Sequence, residues 1–223
     1  MPRDTHQITS EDIIPLEDYE LIRKDKRQES ILRKKFRRIA IGPYATIQFE
    51  SWESMWLQIQ EMLRIEKGGE EQLVDELAAY NPMVPNGSEF TGTLMFEIDE
   101  EERRTAFLKT LGGVDRHIHL IIGDEKVTAE PEQDIDRTRA DGKASAVQFV
   151  HFPLTREQAD KWKSMDGQVM VQIDHPNYGH AAIISDGPVP RLVFVGVNRV
   201  RPAAAVAFDR ILETSQFTWP AAA

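Results

Sequence analysis

Histidines at short spacings are the first candidates for a chemical site in this chain. His117 and His119 are two residues apart in an apolar segment, so a β-strand would place both side chains on one face. His151 ends another apolar run, and His175 and His180 flank a short turn. Imidazole is a ligand for zinc, iron and copper. One interpretation is a histidine-ligated metal site or metalloenzyme built from these side chains, and the alternative is unrelated histidines at strand ends.

A second candidate site combines a helix with a rigid loop. Gln58 and Glu61 lie one helical turn apart, beside the apolar stripe of a predicted helix that contains Trp52 and Trp56. The loop over residues 81–87 contains two prolines and follows the next helix, so a helical hairpin would return it to the first helix. This arrangement predicts a small-ligand pocket with aromatic walls from Trp52, Trp56 and Tyr80 and an arginine at its mouth. The candidate residues are Arg37, Arg38, Gln58, Glu61, Tyr80 and Asn81. The alternative is that these groups only hold the loop in place through hydrogen bonds.

The residue inventory excludes several classes of chemistry. The chain contains no cysteine, which excludes thiolate zinc sites, cysteine nucleophiles and an iron–sulfur cluster ligated by its own cysteines. The glycine-rich phosphate-binding loops, the dinucleotide-binding fingerprint and the common hydrolase motifs are also absent from the sequence. Among the many carboxylates, Glu50 and Glu61 adjoin strongly apolar elements, and burial would raise the pKa of either one enough for acid–base catalysis. The sequence indicates no particular reaction or cofactor.

Charge is distributed unevenly along the chain, which has a formal net charge of −10. Residues 15–38 hold nine bases and five acids, so this segment carries +4 and the remainder carries −14. The negative total argues against nucleic-acid binding, which depends on clustered cations. The basic segment predicts either a solvated helix face or, over residues 23–38, a docking surface for an acidic protein partner. The sequence shows no apolar run of the ~20 residues that a membrane-spanning helix needs and no signal peptide, so a cytoplasmic location is expected.

Residues 39–66 supply the elements that would position the second candidate site. Two apolar runs flank the turn signal Gly42-Pro43 and predict a β-hairpin. Ser51 then occupies the N-cap position of a helix whose apolar residues recur every three or four positions. Trp56 lies at the centre of this apolar stripe, so it is expected to be buried, and Gly68-Gly69 is expected to end the helix.

The rest of the pattern predicts an α+β fold. A helix over residues 15–36 has a polar gap at 24–30, which indicates that it projects into solvent or breaks there. Later apolar runs alternate with turn signals and short helices, without regular βαβ units. We expect a mostly antiparallel sheet of about six strands, with helices packed on one face and a projecting N-terminal helix. Residues 8–186 would form a single domain, followed by a C-terminal extension, 187–223, whose structure the sequence does not specify.

Four ordered blocks of the sequence resemble one bacterial family. They are ITSEDIIPLEDYELIR, KKFRRIAIGPYATIQFE, WLQIQEMLRIEK and YNPMVPNG, and the resemblance covers most of residues 8–185. The family is the uncharacterised domain of unknown function 3501, for which no activity is established. The resemblance implies gene neighbours that encode rubrerythrin-like di-iron proteins and iron–sulfur oxidoreductases. It therefore implies an accessory or binding protein whose partner is a rubrerythrin-like or iron–sulfur protein of a redox or oxidative-stress system. Residues after Asp186 depart from the family pattern.

Overall fold

The computed structural model describes residues 5–132, 143–164 and 168–184, and the predicted extension over 187–223 lies outside them. This part of the chain contains five α-helices and nine β-strands. The helices are α1 (Leu16–Arg37), α2 (Trp52–Glu66), α3 (Gly69–Tyr80), α4 (Glu101–Lys109) and α5 (Arg156–Ser164). The strands are β1 (Arg38–Ile41), β2 (Ala45–Phe49), β3 (Glu89–Phe96), β4 (Ile118–Ile122), β5 (Glu125–Thr128), β6 (Glu130–Pro131), β7 (Val147–Pro153), β8 (Val169–His175) and β9 (Tyr178–Ile184).

The strands form two antiparallel sheets. One has the order β1-β2-β3-β7-β6 and the other has the order β5-β4-β8-β9. The α+β class, the antiparallel pairing and the N-terminal helix are confirmed, and the strands expected in a single sheet are divided between two. Alternation of apolar and polar residues identifies a strand and its buried face, but it does not specify which other strand lies beside it.

The main hydrophobic core includes the inner faces of both sheets. Ile47 of β2, Leu120 of β4 and Val171 of β8 are all fully buried and belong to one cluster. Tyr178 of β9 joins the sheets directly, because its hydroxyl donates to the carbonyl oxygen of Ile41 at 2.6 Å. The same hydroxyl accepts from the backbone N–H groups that open β2, which fixes the β1–β2 hairpin against β9.

Helices α1, α2 and α3 cover the opposite face of the five-stranded sheet. A second cluster of buried side chains lies in this layer and includes Tyr19 of α1 and Ile59 of α2, with Phe149 of β7 packed against it. Trp56 belongs to this cluster and is 7% exposed, so its predicted burial is confirmed.

Helix α2 is well defined at both ends. The N–H of Ser54 donates to Oγ of Ser51, and the N–H of Ser51 donates to Oγ of Ser54, so two otherwise unpaired donors are satisfied. At the other end Lys67 adopts a left-handed conformation with φ of 55°, one residue before the expected glycine pair. Helix α1 continues through its polar gap without a break. Within the described residues, no helix has the length and apolar character needed to cross a membrane.

Candidate functional site: a cleft between two helices

The helical layer contains a cleft of about 450 Å³ between α1 and α2. The two helices are antiparallel and are joined by side-chain contacts. Beyond one end of the cleft, Glu61 accepts from the Tyr19 hydroxyl at 2.6 Å and from two nitrogens of Arg23, each at 2.8 Å. Within the cleft, Arg33 of α1 and Glu53 of α2 form an ion pair at 3.2 Å. The lining residues of the two helices lie between Lys26 and Arg37 of α1 and between Ser51 and Leu57 of α2.

Two tryptophans line the cleft on the α2 side. The rings of Trp52 and Trp56 are nearly parallel, with centroids 6.3 Å apart and an interplanar angle of 13°. Their indole N–H groups donate to carbonyl oxygens of the N-terminal segment, Trp52 to Gln7 at 3.1 Å and Trp56 to Asp12 at 2.8 Å. These bonds fix the segment that closes one side of the cleft and leave the aromatic carbons as an apolar wall.

The charged residues of the cleft are segregated by wall. All four cations belong to α1, and the opposite wall carries three acids from the N-terminal segment and α2. The cations are Lys26, Arg33, Lys34 and Arg37, and the opposing acids are Glu11, Asp12 and Glu53. Glu29, the remaining acid, is on α1 and pairs with Lys26 at 3.2 Å.

Arg37 is the buried cation of this set. It is 6% exposed, and its Nη1 donates to the backbone carbonyl oxygens of Glu50 at 2.8 Å and Phe49 at 3.4 Å. Burial lowers the pKa of Arg37 to about 10, so the guanidinium remains charged at neutral pH. The side chain therefore holds the end of β2 and places positive charge at the cleft.

Glu50, one of the two carboxylates that the sequence indicated as candidates for burial, is buried close to the cleft. It is 4% exposed and accepts hydrogen bonds from Gln48, from the Ser54 hydroxyl at 2.6 Å and from the Thr93 hydroxyl at 2.7 Å. A carboxylate with this many donors is well solvated by the protein itself. Its acid–base role stays a prediction.

Glu61 differs from the expectation for a buried acid. Its side chain is 21% exposed, and the hydrogen bond from Arg23 lowers its pKa below the usual range for a glutamic acid. Burial acts in the opposite direction but is the smaller influence. The upward pKa shift that burial would cause is therefore outweighed at Glu61 by its contact with Arg23 of α1, which the sequence did not reveal.

The six predicted ligand-binding residues do not converge on one pocket. Gln58 donates to the Tyr80 hydroxyl at 3.3 Å, so these two are neighbours. Asn81 instead bonds the backbone of Ile8, accepting at 2.7 Å and donating at 2.9 Å. Arg38 pairs with Glu97 on the sheet. Of the six, only Arg37 lines the cleft.

The chain's own N-terminal segment explains this difference. Ile8 is 1% exposed and packs with Met83 and Val84, beside α2, in the space expected for the small-ligand pocket. His6 Nδ1 lies 2.9 Å from the carbonyl oxygen of Pro85, which fastens the segment to the same loop. The pocket predicted between α2 and this loop is therefore replaced by protein, and Asn81 holds the N-terminal segment.

Three of the five histidine candidates lie together, and the other two lie elsewhere in the fold. Nδ1 of His117 and Nε2 of His119 each lie 2.9 Å from the same carboxylate oxygen of Asp174, and Lys126 binds the other oxygen at 2.7 Å. Lys126 in particular, with the two imidazoles, holds the pKa of Asp174 far below its usual range. Burial lowers the pKa of His119 despite this carboxylate. His175 contacts this cluster through an edge-to-face ring contact with His117.

His151 and His180 lie away from that cluster. The two ring nitrogens of His151 lie 3.0 Å from Glu89 and 2.9 Å from Glu132. The hydrogen bond with Glu89 raises the pKa of His151 most strongly, and Glu132 adds to the effect. His180 packs on Tyr178 and on Gly42, whose φ of 69° and lack of a side chain leave room for the ring. Among the described residues, no group of three or more histidine, aspartate or glutamate side chains is arranged to hold a metal ion.

The comparisons with known proteins establish the family. The family model described as "Protein of unknown function (DUF3501)" matches residues 7–193. The chain belongs to the DUF3501 family. It is also similar to a crystal structure of a protein of unknown function from Burkholderia pseudomallei K96243, with 35% identity and a TM-score of 0.74. That match covers 80% of this chain and 93% of the Burkholderia chain. Comparison with curated proteins gave no match.

The sequence contained part of the information needed to predict the cleft. Trp52 and Trp56 were predicted as aromatic walls of a pocket, and they do line one, on the α1 side of α2. Lys26, Arg33 and Arg37 recur at helical spacing on one face of α1, which is a pattern that could have indicated the opposite wall. The involvement of residues 11–14 depends on the fold of the N-terminal segment and has no local signal.

Proposed function

We propose that this DUF3501 protein is a non-catalytic cytoplasmic accessory protein that binds an acidic protein partner through the outward face of α1. This face consists of Leu21, Lys24, Ile31, Leu32 and Lys35. Ile31 and Leu32 are adjacent, and the other spacings along the face are three, four or seven residues, which places all five side chains on one side of the helix. The observation that carries the proposal is the exposure of its apolar residues: 82% for Leu21 and 56% for both Ile31 and Leu32. Large apolar side chains grouped on one exposed surface are typical of interaction sites.

The charges on this face favour an acidic partner. Lys24 and Lys35 are exposed, and neither makes an ion pair with another described residue. The other bases of the segment point elsewhere: Arg33, Lys34 and Arg37 line the cleft, and Arg38 pairs with Glu97. The face is therefore smaller than the segment 23–38 that the sequence indicated, and it combines apolar contact with positive charge. A partner with an acidic rim around an apolar groove is complementary to it.

The family resemblance suggests which partner to test. The gene neighbours that it implies encode rubrerythrin-like di-iron proteins and iron–sulfur oxidoreductases, so we propose that the partner belongs to a redox or oxidative-stress system. The 223 residues contain no cysteine, so this chain has no dithiol or thiolate-ligated cluster to transfer electrons. Its contribution in such a system is to bind and position the partner.

The test is association of the purified protein with purified rubrerythrin-like and iron–sulfur oxidoreductase proteins from the same organism, measured by biolayer interferometry. Affinity for one of them should fall steeply between about 50 and about 300 mM NaCl, because salt screens exposed charges. Lys35→Glu should weaken binding about three- to tenfold, and Leu32→Ser about tenfold or more.

The control is Lys109→Glu, which reverses an exposed charge on α4 and should leave the affinity within about twofold. Binding that ignores salt and α1 substitutions, or no binding to either protein, would contradict the proposal.

A further inference from the structure

The cleft between α1 and α2 is separate from the proposed docking face and requires its own explanation. Its volume of about 450 Å³ lies within the usual range for small-molecule sites. The α1 residues that line it lie on the side of the helix that faces α2, whereas Leu32 and Lys35 are exposed on the outward face of the same helix. A role for the cleft therefore neither depends on the docking proposal nor repeats it.

Most of the charges in the cleft are already matched. Arg33 pairs with Glu53, Lys26 pairs with Glu29, and Asp12 accepts from the backbone and hydroxyl of Thr9 at 2.9 and 3.0 Å. Arg37 donates to backbone carbonyls. By contrast, neither Lys34 nor Glu11 forms an ion pair with another residue of the described chain. These two have opposite charge and belong to opposite walls, so the cleft offers one cationic and one anionic contact to a ligand.

The apolar surface of the cleft defines the rest of the ligand. Trp52 and Trp56 present nearly parallel indole rings, and Leu57 and Ile14 extend the same wall. The indole N–H groups are already bonded to the backbone of residues 7 and 12, so the rings offer mainly carbon to a bound molecule. Aromatic walls of this kind accept flat or branched apolar groups.

We infer that the cleft binds a small zwitterion with an apolar body, of the class of free aromatic or branched-chain amino acids. The carboxylate contacts Lys34 on the α1 wall, with Arg33 adding positive charge, and the ammonium contacts Glu11 on the opposite wall. The side chain packs on Trp52 and Trp56. A ligand that lacks either charge leaves one of the unmatched groups without its partner, so both charges contribute to selectivity.

The first experiment is isothermal titration calorimetry with three probes of the same shape. L-Phenylalanine carries both charges, 3-phenylpropionate only the negative charge, and 2-phenylethylamine only the positive charge. Phenylalanine should bind at least about tenfold more tightly than either single-charge probe. Equal binding of one single-charge probe would overturn the zwitterion assignment, and no binding of any of the three probes would overturn the site itself.

The second experiment assigns each charge to its wall. Lys34→Gln should weaken binding of phenylalanine and 3-phenylpropionate but not of 2-phenylethylamine. Glu11→Gln should weaken binding of phenylalanine and 2-phenylethylamine but not of 3-phenylpropionate. Lys35→Gln is the matched control, because it removes the neighbouring exposed charge of α1 and should change none of the three affinities. Thermal unfolding of each variant, unchanged from the parent protein, establishes that the substitution has not altered the fold.

The docking proposal and the cleft proposal can be contradicted independently of each other, because they depend on different residues of α1. Lys34→Gln should leave association with an acidic protein unaffected, and Leu32→Ser should leave phenylalanine binding unaffected. If Lys34→Gln and Lys35→Gln reduce phenylalanine affinity equally, the ligand is held by general positive charge on α1 and the cleft assignment is wrong.

Discussion

The contact of Glu61 with α1 gives the most specific stability prediction. Glu61 of α2 accepts from the Tyr19 hydroxyl at 2.6 Å and from Nε and Nη2 of Arg23, both at 2.8 Å. Tyr19 is fully buried, and its contact with the carboxylate adds to burial in raising its pKa. Glu61→Gln keeps the shape of the side chain but removes the charge that both donors contact.

The expected loss follows from the partial burial of this contact. The side chains of Arg23 and Glu61 are 22% and 21% exposed. Each hydrogen bond to a charged group contributes about 1.5–3 kcal/mol, and Glu61 accepts three of them. Because glutamine retains part of this hydrogen bonding, Glu61→Gln should lower the free energy of unfolding by about 2–3 kcal/mol. The matched control is Glu20→Gln, which breaks the Glu20–Arg64 pair between the same helices. That pair is 45% and 32% exposed, so its loss should cost less than about 1 kcal/mol.

Denaturant unfolding at several pH values is the assay. The pKa of Glu61 is lowered in the folded protein, so its stabilisation is fully present above the ordinary pKa of 4.5 and is lost as the pH falls through the lowered folded pKa. The difference between the parent protein and Glu61→Gln should therefore be constant near neutral pH and shrink in acid. Equal losses for Glu61→Gln and Glu20→Gln would refute the reasoning, as would a difference that grows in acid.

Two further predictions test the core and the His151 contacts. Trp56→Ala should lower the free energy of unfolding by about 3–5 kcal/mol, because a 7% exposed indole and its bond to Asp12 are lost. An unchanged denaturation midpoint would show that this stripe is not core. His151→Gln should cost about 1–2 kcal/mol at about pH 6 and less at about pH 9. The pKa of His151 is raised, so its stabilisation is present below the ordinary pKa of 6.5 and lost as the pH rises through the raised value. A penalty that is larger at the higher pH would contradict this assignment.

Local elements of the fold could be predicted because their signals lie within a few residues of one another. Ser51 caps α2, Trp56 is buried, and the turn at Gly42-Pro43 joins a β-hairpin, as expected. Each of these depends on a cap, a helical period or a turn residue. The end of α2 was predicted to within one helical turn, although Lys67, which precedes the glycine pair, adopts the left-handed conformation at the C-cap.

The candidate site could not be predicted to the same extent because it depends on contacts between distant residues. Asn81 bonds the backbone of Ile8, 73 positions away, and this contact fills the expected pocket. Glu61 contacts Arg23, 38 positions away, and this contact outweighs the upward pKa shift that burial alone would cause. A single sequence contains no record of such pairings. The division of the strands into two sheets escaped prediction for the same reason.

The most direct test of the proposed function is hydrogen–deuterium exchange of the protein alone and with the rubrerythrin-like or iron–sulfur partner. The outward face of α1 is exposed in the structure, with Leu21 at 82%, and its helical amides exchange through local opening of the helix, which a partner bound to this face would suppress. Binding on this face should slow exchange across residues 20–36, while α3 and α4 remain unchanged. Slower exchange confined to other elements, with α1 unaffected by the partner, would contradict the proposal that α1 is the docking surface.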